Sequence, residues 1–231
     1  MKSMIKSLLR KIGRLLLSDI IVEMQNYRSQ EVQISLSQHY KTLKRNNVKP
    51  LPSFDEVGFR CYSQFEEDGI LLYIFSLIGT TNKFVVEIGA GEGTHHGIEC
   101  NSANLIINHG WQGILFDGSS INVQKSNAYF AKNPNTFLWP PIFKQAWITA
   151  ENINNLLLDI DITGEVDLFS LDIDGIDYWV WKALDCIQPR VVVCEVNFAV
   201  GPDKALTIPY EPTFHPKRGD TLGHRLPLWR N

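Results

Sequence analysis

Three short segments of this 231-residue chain carry side chains whose types and spacing suit chemistry, and in each a carboxylate stands beside glycine. The first is Glu87-Ile88-Gly89-Ala90-Gly91-Glu92-Gly93. Its glycines let the chain turn sharply and let a ligand approach bare backbone, next to the unpaired N–H groups of a following helix. A dinucleotide fingerprint requires G-x-G-x-x-G, whereas Gly93 comes two residues after Gly91. Glu87 just ahead of the glycines is a poor neighbour for pyrophosphate and a suitable one for a cation. The second segment is Asp117-Gly118, where an acidic residue after an apolar run can accept hydrogen bonds from both hydroxyls of a ribose. Together these residues suit a nucleoside that carries positive charge.

The third segment is Asp172-Ile173-Asp174-Gly175-Ile176-Asp177. A calcium loop needs glycine at its sixth position and glutamate at its twelfth, where this chain has Asp177 and Ala183, so calcium is excluded. Three readings remain open. Asp172 or Asp174 is a base that takes a proton from an acceptor; or the pair joins Glu195 and Asn197 around magnesium or manganese; or Asp174 or Asp177 caps a helix from Tyr178. No residue is assigned as a metal ligand. His95 and His96 are adjacent and would point apart on a helix, which makes a poor metal pair. Trp147 belongs either beside a ligand ring or in the core, and Trp179, Val180, Trp181 and Leu184 read as core. No G-x-x-x-x-G-K-[ST], H-E-x-x-H or G-x-S-x-G occurs, so hydrolysis by a P-loop, a zincin or a serine esterase lacks support.

The elements that must position these residues follow from period and punctuation. Phe84–Ile88, Gly113–Asp117, Ile142–Ala146, Val166–Leu171 and Arg190–Val196 read as short strands, and helix-length segments separate them. Those segments include Ser119 or Ser120 through Phe130, Ala150–Leu158 capped by Thr149, and Tyr178–Ile187. Ser63-Gln64-Phe65-Glu66 has the form of a capping box ahead of Ile70, Leu71, Ile74, Phe75 and Leu77. The alternation implies a Rossmann-like, doubly wound α/β fold with a mostly parallel sheet, whose ligand edge lies beyond the carboxyl ends of the strands. After Asn197 no clear strand is expected in Leu222–Asn231, so the sheet is expected to be short at the C-terminus.

Ahead of this domain, Met4–Met24 shows helical spacing of Ile5, Leu8, Leu9, Ile12, Leu15, Leu16 and Ile20, with Lys6, Arg10, Lys11 and Arg14 between them. The polar stretch Tyr27–Lys49 reads as a second helix, and Pro50 and Pro52 mark a boundary. Residues 1–52 are therefore a helical, basic extension and residues 53–231 the main domain. Through Pro50 the chain has ten basic and three acidic residues; the remainder has 12 and 22. The amphipathic helix is expected to dock on the domain, to mediate self-association or to touch a membrane surface. Lys41–Arg45 lacks aromatic interleaving and reads as a solvated face rather than a nucleic-acid site. No apolar run spans a membrane and no export signal is recognised. Cys61, Cys100, Cys186 and Cys194 have no C-x-x-C spacing and read as reduced thiols of a cytoplasmic protein.

The order Val85–Gly93 followed by Leu115-Phe116-Asp117 resembles the class I methyltransferases. Ser63–Gly69, Gly110-Trp111-Gln112-Gly113 and Leu171–Tyr178 extend the resemblance, over about Tyr62–Tyr210, to the FkbM-type methyltransferases, with Glu66 where that pattern has glycine. The resemblance implies S-adenosylmethionine as cofactor, held by Glu87, Gly89, Ala90, Gly91, Gly93, Asp117 and Gly118. It also implies methyl transfer to a hydroxyl of a small molecule or glycan, such as a sugar or secondary metabolite, with Asp172 and Asp174 as catalytic candidates. A nicotinamide oxidoreductase and a binding or scaffold module that keeps the fold without turnover are the alternatives.

Overall fold

The computed structural model describes residues 30–91, 100–196 and 206–214, and the backbone of 229–230. The amphipathic segment Met4–Met24 lies outside them, as do Glu92, Gly93, His95, His96 and Asn197. The chain divides into two compact units, one made of Met1–Val57 with Leu71–Gly79 and the other of Gly58–Ile70 with Thr80–Asn231.

In the first unit, helix α1 covers 30–45, the described part of the stretch expected to be helical, and Lys41, Lys44 and Arg45 are exposed on it. A short helix α2, Phe54–Val57, is started by Ser53, whose N–H and hydroxyl both donate to the Glu56 carboxylate (2.8 and 2.9 Å). Helix α3, Glu67–Ile78, contributes its later turns. Tyr40, Val57 and Tyr73 form a small core with Leu36, Leu43 and Leu77. The rings of Tyr40 and Tyr73 meet edge-on at 4.9 Å, a favoured aromatic geometry. Tyr73 donates its hydroxyl proton to the Pro52 carbonyl (2.8 Å), so the ring is buried without stranding its polar end.

The second unit is an α/β fold around a five-stranded, all-parallel sheet flanked by helices, in the order β3-β2-β1-β4-β5. The strands are β1 Phe84–Ile88, β2 Gln112–Asp117, β3 Ile142–Gln145, β4 Gly164–Leu171 and β5 Ile187–Cys194. The connecting helices are α4 Ala103–His109, α5 Ser120–Lys132, α6 Ile153–Leu158 and α7 Asp177–Ala183. Four successive residues of β1, Val85 to Ile88, are buried, as expected of a strand covered on both faces. Val86, Ile88, Ile114, Phe116, Phe169 and Leu171 pack with Ile153, Leu157, Ile176 and Val180 in one core.

Several boundaries differ from the sequence reading, each for a local reason. Glu66 does not complete a capping box with Ser63. Asp68 accepts from the backbone N–H groups of Cys61, Tyr62 and Ser63 (2.6, 2.6 and 2.9 Å), while Ser63 Oγ accepts from Asp68 N–H (3.2 Å). One carboxylate that serves three amides outcompetes a single Glu66 contact, and α3 starts at Glu67. Helix α6 begins at Ile153 rather than Ala150: residues 150–152 form a turn in which Thr149 N–H donates to Asn152 Oδ1 (2.8 Å) and the N–H groups of Asn152 and Ile153 donate to the Thr149 carbonyl. Helix α7 stops at Ala183 rather than Ile187: Asn154 Oδ1 accepts from the N–H groups of Asp185 and Cys186 (2.9 and 3.2 Å) and draws the chain out of the helix into β5. Trp181 is 47% exposed rather than core. A strand also occurs within Leu222–Asn231: β7 Trp229–Arg230 pairs antiparallel with β6 Leu206–Thr207 in a separate two-stranded sheet.

At the amino ends of the strands Asp167 is fully buried. It accepts from the N–H groups of Thr81, Asn82 and Lys83 and from Arg190, whose guanidinium lies 2.5 Å away. Burial pushes its pKa up, but the amides and Arg190 together outweigh that and hold it below the usual carboxylate range.

Candidate functional site

In the order β3-β2-β1-β4-β5 the chain moves one way from β1 through β2 to β3 and the other way from β4 to β5, so the switch point lies between β1 and β4. The carboxyl ends of these strands bring Gly89, Asp117, Asp172 and Glu195 to one edge, because each residue ends its strand or directly follows it.

Gly89 has φ +82, and a Cβ there would stand 1.6 Å from the Asp172 carbonyl oxygen. Only glycine lets the end of β1 lie this close to the end of β4. The N–H groups of Gly89 and Ala90 both donate to the Phe116 carbonyl (2.9 and 3.1 Å), which ties the turn to β2; Ala90 is fully buried and Gly91 has φ +57.

Glu87 is buried, and its carboxylate is engaged by the protein itself. Oε1 accepts from Asn101 N–H (2.8 Å); Oε2 accepts from Ser102 N–H (3.0 Å), from the Ser102 hydroxyl and from the Cys100 thiol (3.5 Å). Burial pushes its pKa up against these donors. Glu87 thus anchors the chain entering α4, where the sequence reading set it against a cation. Cys100, Asn101 and Ser102 as its partners were not foreseen, because they are thirteen to fifteen residues away along the chain.

Asp117 Oδ1 accepts from Ser119 N–H (2.7 Å) and from Asn122 Nδ2 (3.2 Å), while Ser119 Oγ accepts from Asn122 N–H (3.3 Å) and caps α5. The acidic residue is therefore fixed at the mouth of the sheet by the helix that follows it. Gly118 lies under Trp147, whose Cε3 would be 3.2 Å from a Cβ at that position. Trp147 is 44% exposed and donates its indole N–H to the Pro212 carbonyl (2.7 Å), so it belongs to this edge and not to the core.

The Asp172–Asp177 loop is tied from within. Asp177 Oδ1 accepts from Ile173 N–H (2.9 Å) and Oδ2 from Gly175 N–H (2.8 Å), and Asp174 takes φ +57 at the bend. The residue preceding α7, Ile176, makes no side-chain cap, so Asp177 shapes the loop before the helix. Asp172, Asp174 and Glu195 each bring a carboxylate oxygen to within 4.8 Å of the others. Burial, then Glu195, Asp177 and Asp174 in turn, push the Asp172 pKa up to about 8. Burial and the charges of Asp177 and Asp174 also raise that of Glu195, which hydrogen-bonds Asp172. Burial and mutual repulsion thus bias both carboxyls toward the protonated form. Among the described residues none of Asp117, Asp172, Asp174 and Glu195 forms an ion pair. Cys194, the last residue of β5, is pushed up to about 12 by burial and by Asp177, Glu195 and Asp172, so it is a thiol and no nucleophile at neutral pH.

This arrangement sets the Asp172 carboxyl beside a glycine turn, the Asp117 carboxylate at the end of the neighbouring strand, and three carboxylate oxygens within 4.8 Å of one another, a grouping that could hold a hard divalent cation. No protein-family profile, no curated protein and no solved structure matches the chain.

Proposed function

We propose that the chain is an S-adenosylmethionine-dependent methyltransferase that methylates a hydroxyl of a small molecule or glycan. The observation that carries this reading is the close approach of Gly89 to Asp172 at the switch point, with Asp117 at the end of the neighbouring strand. A glycine turn fixed to β2, a carboxylate suited to ribose hydroxyls and a candidate proton acceptor then share one edge. The unpaired carboxylates there suit a ligand with a sulfonium and an ammonium group. When bound, S-adenosylmethionine supplies a methyl group on positively charged sulfur.

In this reading Asp117 would accept hydrogen bonds from the ribose hydroxyls, and the Gly89–Gly91 turn is the other part of the chain that would hold the ligand. Asp172 would take the proton of the acceptor's hydroxyl, and the bound cofactor would supply the methyl group. A base whose pKa stands near 8 is well matched to a weakly acidic hydroxyl. Positioning contributes more: alignment of acceptor and methyl donor is worth up to ~7–11 kcal/mol, against about 10²–10⁴ in rate from a base. Glu87 supports the reaction indirectly, through the start of α4.

Calorimetric titration with S-adenosylmethionine, S-adenosylhomocysteine and NAD tests the proposal. Binding of the first two supports it. Binding of NAD alone would transfer the site to hydride chemistry, and binding of none would leave a module without this cofactor.

A further inference from the structure

At the corner of the second unit where β3 begins, the chain turns a row of large apolar side chains to solvent. Phe137 and Ile142 are each 55% exposed, Leu138 70% and Trp139 76%, and no other stretch of the described residues exposes three such side chains in succession. The backbone beneath them is tied. The Asn133 carbonyl accepts from the N–H groups of Thr136 and Phe137 (3.1 and 2.9 Å), Trp139 N–H donates to the Thr136 carbonyl (3.0 Å), and the Thr136 hydroxyl donates to the Phe130 carbonyl (2.6 Å). Gln112, at the start of β2, donates from Nε2 to the Trp139 carbonyl (3.4 Å). Phe143 turns the other way and packs on Phe130 of α5 (5.4 Å between ring centroids), so Ile142 and Lys144 share the face that α5 does not cover.

The charge around this corner is one-sided. After Pro50 the chain carries 12 basic and 22 acidic residues, yet residues 118–150 hold Lys125, Lys132 and Lys144 and no Asp or Glu. That stretch is α5, the loop and β3, the outer strand of the sheet. Lys132 and Lys144 are exposed, one on each flank of the loop in sequence. At the amino ends of the next two strands stand Gln112 and Lys83, and the first carboxylate along that row is Glu165, on β4. Successive apolar and aromatic side chains with lysine on both flanks suit a lipid interface, where tryptophan settles at headgroup level and lysine meets anionic lipid. A second copy fits worse, because a two-fold pairing through this face would set Lys132 and Lys144 of both copies together. Nucleic acid fits worse as well: Leu138 and Ile142 offer no plane for a base to stack on, and no arginine stands in the stretch.

We propose that the corner formed by Phe137–Ile142 docks on an anionic lipid bilayer: Phe137, Leu138 and Trp139 enter the headgroup region, and Lys132 and Lys144 face the anionic lipid. The contact does not depend on the methyltransferase reading. β3 runs from this corner, at Ile142, to Gln145, which pairs with Asp117. The bilayer would therefore lie at the amino end of the strands, and the edge that carries Asp117 and Asp172 would stay open to water.

Flotation of the full chain with phosphatidylcholine vesicles, with and without phosphatidylserine, tests the proposal. The wild type should float with the anionic vesicles. The triple variant Phe137→Ser, Leu138→Ser, Trp139→Ser should bind them roughly a hundredfold more weakly, and Lys132→Gln with Lys144→Gln roughly tenfold more weakly. Vesicles with brominated acyl chains give a second readout: they should quench part of the tryptophan emission of the wild type, and that part should be missing in Trp139→Phe. This readout needs one conservative change at an exposed residue, so it decides the matter if the triple variant does not fold. Quenching that is the same in Trp139→Phe as in the wild type would overturn the proposal. Equal flotation of the wild type and the triple variant would do so too, by giving the contact to another part of the chain such as the amphipathic segment Met4–Met24. So would a wild type that stays out of the floated fraction, whether the triple variant then loses self-association, binding to single-stranded RNA or neither.

Discussion

Gly89 and Asp172 meet in a contact that only glycine at position 89 allows: a Cβ on Gly89 would overlap the Asp172 carbonyl oxygen at 1.6 Å, at a backbone φ of +82. The obstacle is main chain, which cannot rotate aside. Gly89→Ala should therefore separate the ends of β1 and β4 and destabilise the protein by about 2–5 kcal/mol, the sum of a left-handed alanine and an overpacked core. Urea unfolding measures it; a loss below ~1 kcal/mol would show that the two strand ends part easily.

If Asp117 holds the ribose as proposed, Asp117→Ala should weaken S-adenosylhomocysteine binding by roughly 1.5–3 kcal/mol per hydrogen bond lost. Because Asp117 also holds Ser119 and Asn122, Asp117→Asn is the better-controlled variant: its side-chain oxygen can still accept from Ser119 N–H. Affinity equal to wild type in both variants would take Asp117 out of the site.

The raised pKa of Asp172 has a thermodynamic sign. An unfolded aspartate titrates near about 4, so between that pH and about 8 the folded protein keeps a proton that the unfolded chain has released. Stability from this group is present at low pH and is lost as pH rises through the window. Asp172→Asn, which resembles the protonated form, should match wild type near pH 4 and exceed it at pH 8 by on the order of a few kcal/mol. Identical pH profiles would show that the pair with Glu195 is not strained.

If Asp172 is the base, kcat/KM should climb with pH toward an apparent pKa near 8, and the Asn variant should lose that limb together with roughly 10²–10⁴ in turnover while binding cofactor normally. Wild-type turnover in Asp172→Asn would end the assignment.

The oxygens of Asp172, Asp174 and Glu195 could also hold magnesium or manganese. With Asp172 as base, a chelator should leave methyl transfer intact and Glu195→Gln should mainly lower the pH at which activity appears, since it removes a charge from beside Asp172. Activity lost to the chelator and restored by magnesium would give the three carboxylates to a metal.

How much of this was legible beforehand differs by element. The runs that became β1, β2 and β4 were recognisable because a strand covered on both faces is largely apolar, whereas β3, with Lys144 and Gln145 exposed, was found by its place between two helical segments. Glu87, Asp117 and Asp172 could be picked out at the carboxyl ends of β1, β2 and β4. What Glu87 touches could not, because its partners sit in a loop whose course no local pattern encodes. Ser63 suggested Glu66 by spacing, yet Asp68, five residues on, took the amides, since one carboxylate can serve three donors. Pairing of Leu206–Thr207 with Trp229–Arg230 left no period to read in strands of two residues. Trp179 was recognisable as a packing residue, but its hydrogen bond to Ile208 is a tertiary fact.

The two ends of the sheet solve their electrostatics in opposite ways. At one, Asp167 is surrounded by amides and an arginine; at the other, carboxylates crowd together without a cation among the described residues. Directed evolution for heat resistance alone would therefore leave Asp167 untouched and neutralise Asp172, Asp174 or Glu195 among its early gains, because relief of repulsion is easily found there. If Asp172 is the base proposed above, a thermostable descendant selected without an activity screen would keep the fold and lose its turnover, and the positions that changed first would mark the site.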